Sequence, residues 1–81
     1  MFPMEGVVKW FDPAKGYGFI KPVNGGKDVF VHISALVASR VSMIDQGQSV
    51  DFEITSDRGK EVASNIKVLD VWVTHQELFK L

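Results

Sequence analysis

The chain has no cysteine among its 81 residues. Disulfide staples, thiol nucleophiles and cysteine-ligated metal sites are therefore excluded together. It also lacks a strong charge of either sign. Nine Lys and Arg stand against ten Asp and Glu, a net charge of −1 with a pI near 6.0. That excludes a globally basic nucleic-acid binder but leaves a local basic patch open. No apolar run exceeds a few residues, so no segment reads as a membrane-spanning helix and no membrane partner is expected. The opening Met1-Phe2-Pro3-Met4-Glu5 has neither a basic segment nor an apolar stretch of signal length, and the expected location is cytoplasmic. Internal repeats and low-complexity segments are absent. Only two histidines, His32 and His75, are present, so no metal-ligand set can be assembled and no cofactor is expected.

What remains is an ordinary globular composition, 46% hydrophobic and 23% charged, too apolar for disorder. A domain of this size without staples must hold itself by packing, which favours a closed sheet or a tight bundle. Turn signals at Asp12-Pro13-Ala14-Lys15-Gly16, Pro22 to Asp28, Asp45-Gln46-Gly47-Gln48 and Ser56 to Lys60 divide the chain. The intervening runs, about 4–11, 17–22, 28–33, 48–55 and 61–71, are rich in Val, Ile, Phe, Tyr and Trp. Five short strands with no long helical period predict a small all-β barrel or sandwich. Residues 34–47 form the one long connection, with a helical turn expected near Ser34-Ala35-Leu36-Val37.

Alternation divides each strand into two faces. Val29, Val31 and Ile33 oppose Asp28, Phe30 and His32; Gly18, Ile20 and Pro22 oppose Tyr17, Phe19 and Lys21. In both strands the aromatic residues travel with the polar ones, so the aliphatic face is the expected core and the rings face water. On the first strand Val8 and Phe11 are the expected core residues, which requires a local irregularity between them. Inverted faces would instead make Tyr17, Phe19 and Phe30 core. Lys9, Lys15, Lys21 and Lys27 stand against only Glu5 and Asp12 in the first 27 residues, whereas from Arg40 onward acid exceeds base. Rings interleaved with lysines suit a single strand of nucleic acid, whose bases stack for about 1–3 kcal/mol each while lysines follow the phosphates.

Lys15-Gly16-Tyr17-Gly18-Phe19-Ile20-Lys21-Pro22 fits five places of the aromatic RNA-binding octamer, with glycines expected to admit a ligand close to the backbone and to keep the rings uncrowded. Its last place is Pro22 rather than an aromatic residue, and the chain has no room for the two helices of an RNA-recognition motif. With Gly6-Val7-Val8-Lys9-Trp10-Phe11 before it and Val29-Phe30-Val31-His32-Ile33 after it, the order resembles the bacterial cold-shock proteins. Further matches at Ser34-Ala35-Leu36, Gly47 to Ile54 and Ala63-Ser64-Asn65-Ile66 extend the resemblance over about residues 4–69. It implies a five-stranded antiparallel Greek-key barrel of the oligonucleotide-binding type. It also implies sequence-tolerant binding of single-stranded RNA and DNA, and an RNA chaperone that melts weak secondary structure and regulates transcription or translation in the cold. Carried over by position, the binding residues are Lys9, Trp10, Lys15, Tyr17, Phe19, Phe30 and His32, with Ile33, Val41 and Arg58 as weaker candidates.

The departures are specific. Ile33 and Val41 stand where the family usually has rings, Gly59-Lys60-Glu61 replaces a glycine-proline step, and Asp12 replaces a common Asn beside Trp10 and Lys15. A weakened binder is the expectation.

Other chemistry finds little support. Asp28, His32 and Ser34 are triad residue types but share one strand and lack an elbow motif, so no catalytic residue is expected. Gly25-Gly26-Lys27 lacks the rest of a phosphate loop and reads as a hairpin turn. The division expected is a cold-shock domain over residues 1–69 and an extension over 70–81. Three uses are open to the extension, which carries Trp72, Leu78, Phe79 and Leu81: packing on the barrel, a homodimer contact, or a mobile end. The competing function is a barrel retained as a protein-interaction module.

Overall fold

The turn and strand signals resolve into five strands and one short helix. These are β1 (Met4–Asp12), β2 (Tyr17–Pro22), β3 (Val29–His32), α1 (Ile33–Ala38), β4 (Ser49–Asp57) and β5 (Lys60–Val68). The computed structural model describes residues 3–69, so the expectations for the 70–81 extension lie outside the described residues. The strands close into a barrel in the order β1-β2-β3-β5-β4. Four neighbouring pairs are antiparallel and the β3–β5 pair, at Phe30 opposite Val62, is parallel. An odd ring cannot alternate direction all the way round, so the expected five-stranded barrel requires one such junction.

Inside the ring lie the aliphatic faces read from alternation. Val8, Ile20, Val31, Val50 and Phe52 are at most 1% exposed, joined by Leu36 from α1 and Ile44 from the loop after it. Tyr17 and Phe19 are half-buried on the outer face while Gly18, Ile20 and Pro22 are buried, which disposes of the inverted assignment.

The irregularity that β1 needed is a bulge. Val8 pairs with Ile20 but Trp10 pairs with Phe19, so Lys9 is an extra residue on β1. Without it Trp10 would follow Val8 into the core; with it Lys9 and Trp10 both face out while Phe11 packs against the core. A second bulge lies on β5, where Asn65 takes φ 47° and its Nδ2 donates to Glu53 Oε1 at 2.9 Å.

The octamer glycines have structural causes of their own beside the expected ligand clearance. Gly16 has φ 79°, which only glycine adopts freely, and its carbonyl accepts from Ile33 N at 2.9 Å. A β-carbon on Gly18 would strike the Trp10 carbonyl oxygen and come within 2.7 Å of Phe11 Cα, because just past the bulge β1 runs close beside it, with Phe11 its paired neighbour.

β3 ends one residue earlier than alternation suggests. Ile33 is the first residue of α1, half-buried, and not a core-facing strand residue beside Val31. The chain turns there because His32 caps the helix with its own side chain. At the other end Val41 N donates to Leu36 O at 2.9 Å and Arg40 N to Val37 O at 3.0 Å, the paired bonds of a Schellman motif. Arg40 occupies its left-handed position, with φ 61°, where glycine is usual. Ser39 Oγ then accepts from Ile66 N at 2.8 Å and ties the helix to β5. Replacing Arg40 by glycine should relieve the left-handed strain at a smaller cost in unfolded-chain entropy. The expected gain is about 0.5–1 kcal/mol, read as a Tm rise of about 2–8 °C by thermal unfolding.

Candidate nucleic-acid interface

Register brings the outward rings together. Phe19 pairs with Phe30 and Tyr17 with His32 across β2 and β3, while the bulge sets Trp10 opposite Phe19 across β1 and β2. Directly opposed residues on one sheet face have side chains in contact range. Trp10 lies edge-on to Tyr17 at 5.6 Å and to Phe19 at 5.4 Å between ring centroids. Tyr17 stacks on Phe30 at 5.6 Å, and Phe19 meets Phe30 edge-on at 5.8 Å, closing a circuit of four rings. His32 extends it, tilted 31° from Phe30 at 6.4 Å.

Mutual cover changes the expected exposure. Tyr17, Phe19 and Phe30 are half-buried by their neighbours, and Trp10, at 37%, is the most open of the four aromatic rings. Edge-to-face contacts spend ring edges on one another and hold the rings in fixed orientations.

The lysines do not behave alike. Lys9 Nζ pairs with Asp28 Oδ2 at 2.8 Å, reaching over β2 from the bulge to the residue before β3. Lys15, Lys21 and Lys27 are exposed and form no salt bridge among the described residues. Asp12, which stands where the family commonly has Asn, also serves the turn: its Oδ1 accepts from Ala14 N at 2.9 Å and Lys15 N at 3.2 Å. An exposed ion pair adds little stability but occupies the ammonium. Asp28→Asn should therefore release Lys9 with little change in Tm. Single-stranded DNA binding should strengthen a few-fold at low salt, and its log–log salt slope steepen by about 0.7, one further phosphate contact.

Acid from the far half of the sequence also arrives here. A groove of about 450 Å³ runs beside Phe19 and Phe30, walled by Asp57, Arg58, Lys60 and Glu61 of the β4–β5 hairpin with Asp28 opposite. A second, of about 580 Å³, passes Phe30, His32 and Ser34 along Asp57 and Arg58. Arg58 thus borders both, held in the hairpin turn at φ 55°. Val41 goes elsewhere: as the apolar residue that follows a Schellman turn, it packs partly buried against the core. Ile33 lies against Gly16, whose β-position is 3.4 Å from Ile33 Cγ2.

The structure thus clusters Trp10, Tyr17, Phe19, Phe30 and His32, with Lys9 adjacent through Asp28 and Arg58 added from the far hairpin. Asp57, Lys60 and Glu61 were not read as part of this face, and no local pattern places them there. Asp28 was legible, since it shares the alternating face of Phe30 and His32. Among the described residues, no group of three His, Asp or Glu is placed to hold a metal ion, and no helix is long and apolar enough to cross a membrane.

Comparison with known proteins follows the same span. The sequence model of the 'Cold-shock' DNA-binding domain matches residues 4–69. Cold shock-like protein CspB of Yersinia pestis is 47% identical over 66 residues, covering 82% of this chain and 94% of that protein. Cold shock-like protein CspE of Escherichia coli (strain K12) is 45% identical over 69 residues, covering 85% of this chain and 100% of that protein. Cold shock-like protein CspA of Rickettsia bellii is 48% identical over 63 residues, 78% of this chain and 90% of that protein.

Proposed function

The chain belongs to the family of the cold-shock DNA-binding domain, and from that premise we propose that it binds single-stranded RNA and DNA on its ring face and acts as an RNA chaperone. The observation that carries this reading is the ring circuit Trp10, Tyr17, Phe30 and Phe19, continued by His32, on one outer face of the barrel. Bases stack on ring surfaces that the neighbours leave open, without regard to sequence, since every base has a π-face. Lys15 and the other basic side chains follow the phosphates, with Arg58 entering from the hairpin. No covalent step is needed. A ligand that prefers the open strand shifts a weak hairpin toward melting by mass action alone.

The test is quenching of tryptophan fluorescence by hexathymidine at two salt concentrations. Trp10 reports the ring face, and a Trp10→Phe variant isolates the contribution of Trp72. Saturable quenching that weakens with salt supports the proposal; no quenching at low salt defeats it. Two rings usual in the family are replaced, and Val41 packs partly buried against the core. Affinity should therefore fall about 2 kcal/mol short of a relative carrying both, roughly 30-fold in a side-by-side titration.

A second reading draws on the carboxylates of Asp28, Asp57 and Glu61 beside Phe30, which oppose a phosphate backbone. Here the barrel is a protein-interaction module. It predicts that ring substitutions leave function intact while deletion of residues 72–81 abolishes it.

A further inference from the structure

We propose that the first turn of α1 sets the tautomer of His32, so that the neutral ring holds its one proton on Nε2 and offers it to an acceptor oxygen of a bound single strand. The inference rests on the binding face proposed above.

His32 is both the last residue of β3 and the N-cap of α1, with extended backbone at φ −104°, ψ 152°. Its Nδ1 accepts from the Ser34 backbone N–H at 3.1 Å and lies 2.9 Å from Ser34 Oγ. A hydroxyl can turn to donate or accept, but a backbone N–H can only donate. Nδ1 must therefore present a lone pair, and a neutral imidazole has only Nε2 left for its proton. The cap replaces the side-chain oxygen usual at that position with a ring nitrogen. The ring is thereby fixed in orientation, tilted over Phe30 and bordering the groove shared with Arg58.

Among the described residues, Nε2 makes no hydrogen bond. The bond that caps α1 thus also fixes which ring nitrogen carries the proton. Coupled to the cap, His32 becomes an apolar face with one directed donor. Its partner is an oxygen that can be a phosphate oxygen or a base carbonyl. The backbone amide of Ser34 is the positioning group, so Ser34→Ala should leave the tautomer unchanged.

The decisive measurement is a long-range ¹H–¹⁵N correlation spectrum of the full chain at alkaline pH, with His32 identified by its loss in His32→Phe. Protonated Nε2 with bare Nδ1, in both the native chain and Ser34→Ala, is the expected result. Protonated Nδ1, or an even mixture, overturns the proposal. For the donor role, His32→Phe should lose about 3- to 10-fold in affinity for hexathymidine although phenylalanine stacks equally well. Binding is compared well below the thermal transition of the variant, because the cap is lost as well. A methylphosphonate linkage that abolishes the native advantage places the acceptor on phosphate; an abasic site that does so places it on a base. Equal affinity of His32→Phe, or an advantage that survives both probes at every position, overturns the donor role alone. Failure of the native chain to bind overturns the binding reading and the donor role with it, while the tautomer is read independently of any ligand.

Discussion

Replacing Phe30 by alanine is expected to lower affinity for a short single strand by about 10- to 100-fold, the largest loss from any one ring. One base–aromatic stack accounts for about 1–3 kcal/mol, and Phe30 has more than its own stack to lose. It touches Tyr17, Phe19 and His32, and it lines both grooves. Without it those neighbours lose the contacts that hold their faces outward in fixed orientations. Phe30 is also half-buried, so truncation loosens the barrel, and binding must be compared where both proteins are folded. Phe30→Leu separates the effects: it keeps most of the apolar volume, should stay close to native stability, and should still lose most of the affinity. Titration by tryptophan quenching beside thermal unfolding reads both. Native affinity in a folded Phe30→Ala would remove the ring circuit from the function.

Gly18→Ala should show the opposite signature. Its β-carbon has nowhere to go, meeting the backbone of Trp10 and Phe11 and not the tip of a flexible side chain. Overpacking of this kind typically costs about 1–3 kcal/mol, and a clash with backbone belongs at or beyond the upper end. For a domain of this size about 3 kcal/mol lowers Tm by roughly 12–24 °C, a large share of total stability. The fraction that still folds should bind with affinity reduced far less than that of Phe30→Ala. A variant that kept its Tm but lost its ligand would instead make ligand clearance the main role of this glycine.

These two residues stand one strand apart, and the sequence spoke unequally about them. Phe30 was legible as an outward ring because alternation along a strand is a local property with a period of two. The same local rule exposed the conflict between Val8 and Phe11 and so demanded the bulge that sets Trp10 outside. Turn chemistry likewise located the hairpins, and the ordered motifs from Gly6 to Ile66 pointed to the family. Gly18 was legible as a glycine that mattered, but not why. The reason is the close approach of the neighbouring strand just past its bulge, and the distance between paired strands is not written in spacing. Val41 shows the same limit: its place in the loop suggested a replaced ring, and only the structure shows that the Schellman turn at Arg40 packs it, partly buried, against the core.

By itself, then, the sequence determined which side of each strand faces in, where the chain turns, that five short strands form a barrel or sandwich, closed on the strength of the family resemblance, and that rings and lysines share an outer surface. Only the tertiary structure decided what meets that surface. The closure of β3 on β5 carries Asp57, Arg58, Lys60 and Glu61 against Phe30 from nearly thirty residues away, and the bulge brings Lys9 within 2.8 Å of Asp28. Alternation and turn preference arise from the backbone of a few consecutive residues, whereas neighbours across a closed ring depend on register and strand order, which the whole chain sets at once.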